Sequence, residues 1–139
     1  MKILLILILS IYSLNSFGQS LKEADIDEKL LLCLSLNENS TTQGMTNCMI
    51  DAADAYEDLM NFKYNQLLDL LTIEQKDFLI ITQKEWIDFR ERELSFANQL
   101  YESIGGTMWI PIKVEHRLNL TKQRTFEIDK YISILTMDL

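Results

Sequence analysis

Beyond residue 20, apolar residues recur at three- and four-residue steps through almost the whole chain. That spacing lines one face of an α-helix. From Leu21 to Asn37, the residues Ile26, Leu30, Cys33 and Leu34 stand at i, i+4, i+7 and i+8 and predict a first helix. The polar run Asn37-Glu38-Asn39-Ser40-Thr41-Thr42 breaks the pattern and makes a connection. A second helix is predicted from Thr42 to about Leu71, with Met45, Met49, Ala52, Tyr56, Leu59, Phe62 and Leu67 as its apolar stripe. Thr72-Ile73-Glu74-Gln75 has the form of a capping box, the hydroxyl covering a free backbone N–H while Gln75 reaches back. It ends the second helix and opens a third, which carries Phe78, Leu79, Trp86, Phe89, Phe96 and Leu100 and runs to about Ser103. Gly105-Gly106 stops it, because the pair enters positive φ freely. Thr107 to Pro111 reads as a short irregular link, with Trp109 and Ile110 against the bundle. Pro111 suits the first turn of a fourth helix, where its missing N–H costs nothing. That helix runs to about Leu135, with Leu118, Thr121, Thr125, Ile128, Ile132 and Leu135 inward. The pattern predicts an all-α fold, a compact bundle of about four helices.

The first 18 residues follow a different rule. Lys2 supplies a positive start, Ile3 to Leu14 is almost unbroken Ile and Leu, and Ser16 and Gly18 are small. This is the three-part form of a signal peptide cleaved before Gln19. The other reading is a membrane-spanning helix, for which the apolar run is too short, since spanning takes ~20 residues. The absence of a Cys soon after the run argues against a lipid anchor. The chain therefore divides into a signal peptide, 1–18, and a single domain, 19–139. Loss of Lys2 with the leader takes the formal net charge from −8 to −9. An acidic export product without a basic cluster argues against nucleic acid and anionic membrane as partners, and it suits a cationic one.

The same compartment gives the two cysteines, Cys33 and Cys48, a meaning. In an oxidising environment an even pair without metal-like companions reads as a disulfide. It closes a loop of 15 residues, worth roughly 3 kcal/mol in the loop-entropy account. With Cys33 near the end of the first helix and Cys48 in the first turns of the second, the bond clamps a helical corner.

Catalytic chemistry finds little to stand on. His116 is the single histidine and has no Cys or Ser motif around it. Ser-x-x-Lys, Gly-x-Ser-x-Gly and His-Glu-x-x-His patterns are absent, as is a phosphate-binding glycine loop. One His beside an oxidised Cys pair cannot furnish a zinc site. Glu57-Asp58, Asp88, Glu91 and Glu93 read as solvated helix faces. No catalytic, metal or cofactor residue is assigned, and the chain reads as non-enzymatic. The residues that stand out are Gln83, Trp86 and Arg90, at i, i+3 and i+7 on one helical face, with Phe89 beside them. They form either an exposed binding patch, since Trp and Arg are enriched at interface hot spots, or a seam between helices. In the seam reading Arg90 stacks on an aromatic ring and pairs with an acid from another helix, with Thr121 and Arg124 as partners on the last helix.

An ordered set of residues then carries a family resemblance. Cys33, Thr42, Met45 and Cys48 are followed by Asn61-x-x-Tyr64, Gln83-x-x-Trp86-x-x-Phe89-Arg90, Gly105-Gly106 and Thr121-x-x-Arg124. In this order the chain resembles the lysozyme inhibitor LprI-like N-terminal domain of exported bacterial proteins, from about Asp25 to Leu135. Asn61, Tyr64, Gln83, Trp86, Phe89, Arg90, Thr121 and Arg124 are then structural motif positions, and their place in the set favours the seam over the patch. Two positions depart from the family. Leu94 and His116 stand where it often has cysteines, so no lone thiol is left and Cys33 with Cys48 remains the pair. The resemblance implies an exported, periplasmic or secreted protein that binds a protein of the cell envelope or outside the cell, a basic lysozyme being the named case. The alternative is an envelope structural or assembly factor that binds no lysozyme.

Overall fold

The computed structural model describes residues 23–137. They form four α-helices: α1 (Glu23–Ser35), α2 (Thr42–Leu70), α3 (Ile73–Ile104) and α4 (Trp109–Thr136). A 3-10 turn at Asn37–Asn39 joins α1 to α2, and no strand occurs among the described residues. The signal-peptide reading of residues 1–18 lies outside them.

Local chemistry explains where each helix starts and stops. Thr41 caps α2, its Oγ1 accepting from the backbone N–H of Gly44 at 3.0 Å. The α1–α2 corner is closed by the Cys33–Cys48 disulfide, with Cα atoms 5.8 Å apart. Asn39 Nδ2 adds a hydrogen bond to the Cys33 carbonyl at 2.9 Å. Gly44 lets the corner fold this tightly, because a Cβ there would fall 2.5 Å from Asn39 Cα. At α3 both halves of the capping box are present, between Thr72 and Gln75. Gly105 and Gly106, at φ 74° and 96°, turn the chain out of α3. The following link is shorter than the sequence pattern suggests. The fourth helix begins at Trp109, so Trp109 and Pro111 both belong to its first turn. The Trp109 ring stacks on Tyr101 with centroids 5.2 Å apart, pinning α4 back onto the end of α3.

Helices α2 and α4 form the centre and run parallel, since Asp54 meets Arg117 and Lys63 meets Asp129, with α1 against α2 on one side and α3 on the other. Ile26, Ala52, Ala53, Tyr56, Leu59 and Leu118 make one cluster beneath α1. Met60, Leu67, Leu79 and Ile128 make a second beneath α3, flanked by half-buried Tyr64, Trp86 and Ile132. Helix α3 departs most from its expected apolar stripe. Its buried residues are Leu79, Gln83, Arg90 and Ala97, whereas Phe78, Phe89, Phe96 and Leu100 are exposed. Each phenylalanine stands one position ahead of a buried residue, and one position is a rotation of about 100°. The buried strip of α3 is too narrow to take both. Phe62 of α2 and Ile110 and Leu135 of α4 are likewise exposed rather than inward.

Candidate functional site

Where α3 crosses the α2–α4 pair, the buried strip turns polar. Arg90 lays its guanidinium over the Trp86 ring, with Cζ 5.0 Å from the centroid, and Arg124 of α4 approaches the same ring at 5.9 Å. Arg90 Nη1 donates to Glu57 Oε2 of α2 at 2.7 Å and to Thr121 Oγ1 of α4 at 3.3 Å. Arg124 Nε donates to Gln83 Oε1 at 2.9 Å, and its Nη1 reaches Glu127 at 3.0 Å. Gln83 Nε2 completes the row with a long contact to Met60 Sδ, 3.8 Å. Arg90 Nη2 also reaches Glu91 at 3.4 Å, so two buried cations meet three carboxylates, and each guanidinium ties α3 to a neighbouring helix. Burying a charge is tolerated only when it is paired and hydrogen-bonded, which is the condition met here. Arg90 Nε and Arg124 Nη2 are buried without a partner.

The motif residues divide accordingly. Gln83, Trp86, Arg90, Thr121 and Arg124 come together in this seam. Tyr64 is half-buried against the second apolar cluster, while Asn61 and Phe89 face outward. Glu57 and Glu127 also belong to the seam: Glu57, expected on a solvated face, is instead half-buried against Arg90, and Glu127 was not singled out by the sequence pattern. The signal for Glu57 was positional: it lies four residues after Ala53 and three before Met60, both of which are buried.

A second polar group fastens α1. The Tyr56 hydroxyl donates to Asp27 Oδ1 at 2.9 Å, and Lys122 Nζ reaches both Asp27 oxygens at 2.6 and 2.8 Å. Lys63 pairs with Asp129 nearby. Burial pushes the Tyr56 hydroxyl pKa up, and the hydrogen bond to Asp27 pushes it further. Burial also raises the Glu23 carboxyl above 4.5, helped by the charges of Asp129 and Asp27 and opposed by Lys63 and Lys122. A tyrosine held neutral and donating to a paired carboxylate is a helix clamp. It offers no nucleophile. Between α3 and α4, His116 Nε2 stands 3.7 Å from Glu93 Oε1. No group of three or more His, Cys, Asp or Glu side chains gathers as a metal site among the described residues. No helix among them is long and apolar enough to cross a membrane. At the far end of the bundle Leu67, Leu71, Phe78, Leu79, Tyr131 and Ile134 line an open apolar groove of about 320 Å³.

The model of a family described as "Lysozyme inhibitor LprI" matches residues 33–128. The chain belongs to the LprI family. The match begins at Cys33 and ends at Ile128, so in this LprI-family chain it takes in both cysteines and the whole seam. The family is an inhibitor family, not an enzymatic one. Among solved structures, the chain is similar to the crystal structure of an uncharacterized protein from Burkholderia thailandensis, with a TM-score of 0.74 and 21% identity. The likeness covers 81% of this chain but 55% of that one, and at this identity it shows the fold alone. No curated protein compared with the chain matches it.

Proposed function

We propose that this LprI-family protein is an exported binding protein that inhibits a lysozyme by occupying it, without chemistry of its own. The observation that carries the reading is the family match, which takes in α2, α3, most of α4 and both cysteines of the disulfide. Three features support it. The disulfide suits an oxidising compartment, the periplasm or the exterior. Most polar groups of the seam and of the α1 clamp are spent on one another, and such networks rigidify a fold rather than turn over a substrate. The formal net charge of −8 favours fast encounter with a basic protein such as many lysozymes.

The test is lysis by a basic lysozyme in the presence of excess purified mature protein, with calorimetry of the pair at low salt. Inhibition that saturates with a measurable heat of binding is expected. Unchanged lysis together with no binding heat would refute the reading. It would leave the envelope structural or assembly factor, which predicts co-purification with a different envelope protein.

A further inference from the structure

Helix α3 buries one narrow strip and holds most of its large apolar side chains in water. Phe78, Phe89 and Phe96 are 67%, 51% and 62% exposed. They are spaced by 11 and 7 residues, which at 3.6 residues per turn puts all three on one line to within about 20°. At 1.5 Å per residue the line runs about 27 Å. Leu100 extends it by another turn and is also exposed. At the other end Phe78 forms a wall of the apolar groove with Tyr131 and Ile134 of α4. Isolated exposed apolar residues are ordinary on a soluble protein, but three phenylalanines on one helix line, the first of them walling an apolar recess, mark an interaction surface.

The charges around the edge indicate what covers it. The outward side of α3 carries exposed Glu74, Asp77, Glu85 and Asp88 against Lys84 and Arg92. The chain as a whole is at −8. A second copy would bring these carboxylates against their own kind, which like-charge juxtaposition disfavours. A nucleic acid would meet the same repulsion. A cationic protein meets both features at once.

We propose that the Phe78–Phe89–Phe96 edge of α3 is the surface that docks a cationic protein partner. The rings cover an apolar patch on that partner while the flanking carboxylates meet its Lys and Arg side chains. The identity of the partner rests on the inhibitor reading above, which makes it a basic lysozyme. The seam, about 100° around α3 from this edge, holds the helix straight and positioned, so the edge is presented as a rigid row and little ordering entropy opposes binding.

The experiment titrates a basic lysozyme with wild type and with the Phe78→Ser/Phe89→Ser/Phe96→Ser variant by calorimetry, alongside sedimentation and thermal melts of both. Because the rings are exposed, the variant is expected to keep its helical signal and melting temperature. Its affinity is expected to fall at least about 30-fold, as for loss of interface anchors. Glu85→Lys/Asp88→Lys, with the rings intact, is expected to slow association about tenfold and to flatten its salt dependence. Wild-type binding that the triple variant retains in full overturns the edge and leaves the inhibitor reading standing. No wild-type binding at all removes the inhibitor reading and this partner together. A wild-type dimer that the triple variant dissolves assigns the edge to a second copy and overturns the proposal.

Discussion

Replacing Arg90 with methionine probes the seam most directly, because the substitution keeps the aliphatic stem and removes the charge. The Nη1 bond to Glu57 is short, 2.7 Å, and charge-assisted, a class worth about 1.5–3 kcal/mol. The stack on Trp86 at 5.0 Å is largely desolvated, since the Arg90 side chain is only 9% exposed. Such contacts contribute about 1–2 kcal/mol. The fully buried Thr121 hydroxyl also loses its donor at 3.3 Å, a cost of about 1 kcal/mol. Two effects offset these losses. Glu57 is 27% exposed and keeps Arg117 at 3.9 Å, so it is not stranded. Arg90 Nε has no partner in the wild type, so its removal relieves a desolvation cost. The net expectation is a loss of about 3 kcal/mol, or a fall of about 10 °C in Tm for a domain of this size.

Urea unfolding followed by far-UV circular dichroism measures the loss. The companion variant Arg90→Met/Glu57→Met separates pairing from mere packing. Removing both charges also deletes a carboxylate left with only the long contact to Arg117 at 3.9 Å, so the double variant is expected to recover about 1 kcal/mol relative to Arg90→Met alone. A single-variant loss under about 1 kcal/mol would refute the view that the seam holds α3 in place. So would a double variant whose loss equals the sum of the two singles, because independent sites add and coupled ones do not.

Reducing the Cys33–Cys48 bond, or replacing both residues with Ser, is expected to cost about 3 kcal/mol; a melting curve with and without reductant checks it, and an unchanged Tm would show that the corner is held by other contacts. Gly44→Ala is expected to destabilise by about 1–3 kcal/mol although alanine is the better helix former, because the new Cβ meets the Asn39 backbone at 2.5 Å; a gain in urea midpoint would contradict this. Glu23 has a folded pKa raised above 4.5, so the folded protein holds that proton more tightly than the unfolded chain does. Its charged form therefore costs stability at neutral pH, and the cost fades as pH falls through the folded pKa toward 4.5. Glu23→Gln should raise Tm at neutral pH, with the gain vanishing in acid, and a pH series of melts would show a flat difference if burial were not the cause. Trp86→Ala should cost about 3 kcal/mol and Phe89→Ala under about 1 kcal/mol, since one ring lies between two guanidiniums and the other is half in water.

The helices were legible because their signals are local. A capping box at Thr72, two glycines at 105 and 106, and apolar steps of three and four each act within a turn or two of the residue that carries them. The α4 start was misjudged for the same reason: Pro111 fits the first turn, but the stack of Trp109 on Tyr101 that fixes the start joins two helices. The face of α3 was harder. Its stripe contains more large apolar residues than a peripheral helix can bury, and composition does not say which line faces in. The answer depends on Gln83 and Arg90, polar residues that are buried because Arg124, Thr121 and Glu57 wait for them on other helices. A pairing across more than 30 residues of sequence leaves no periodic trace.

That inversion separates what identifies the fold from what meets a partner. Gln83, Trp86, Arg90, Thr121 and Arg124 turn their polar atoms toward one another beneath α3, so none can be a principal contact for another protein without unmaking the seam. Phe89 is adjacent in sequence to Arg90 yet points to the opposite fate, because one residue of helix is about 100° of rotation. The same stretch therefore serves twice. Its inward residues lock α3 against α2 and α4, and the rigidity they impose is what lets its outward phenylalanines stand as a fixed row. A substitution in the seam should weaken binding only as far as it loosens the helix, whereas one on the row should weaken binding with the fold intact.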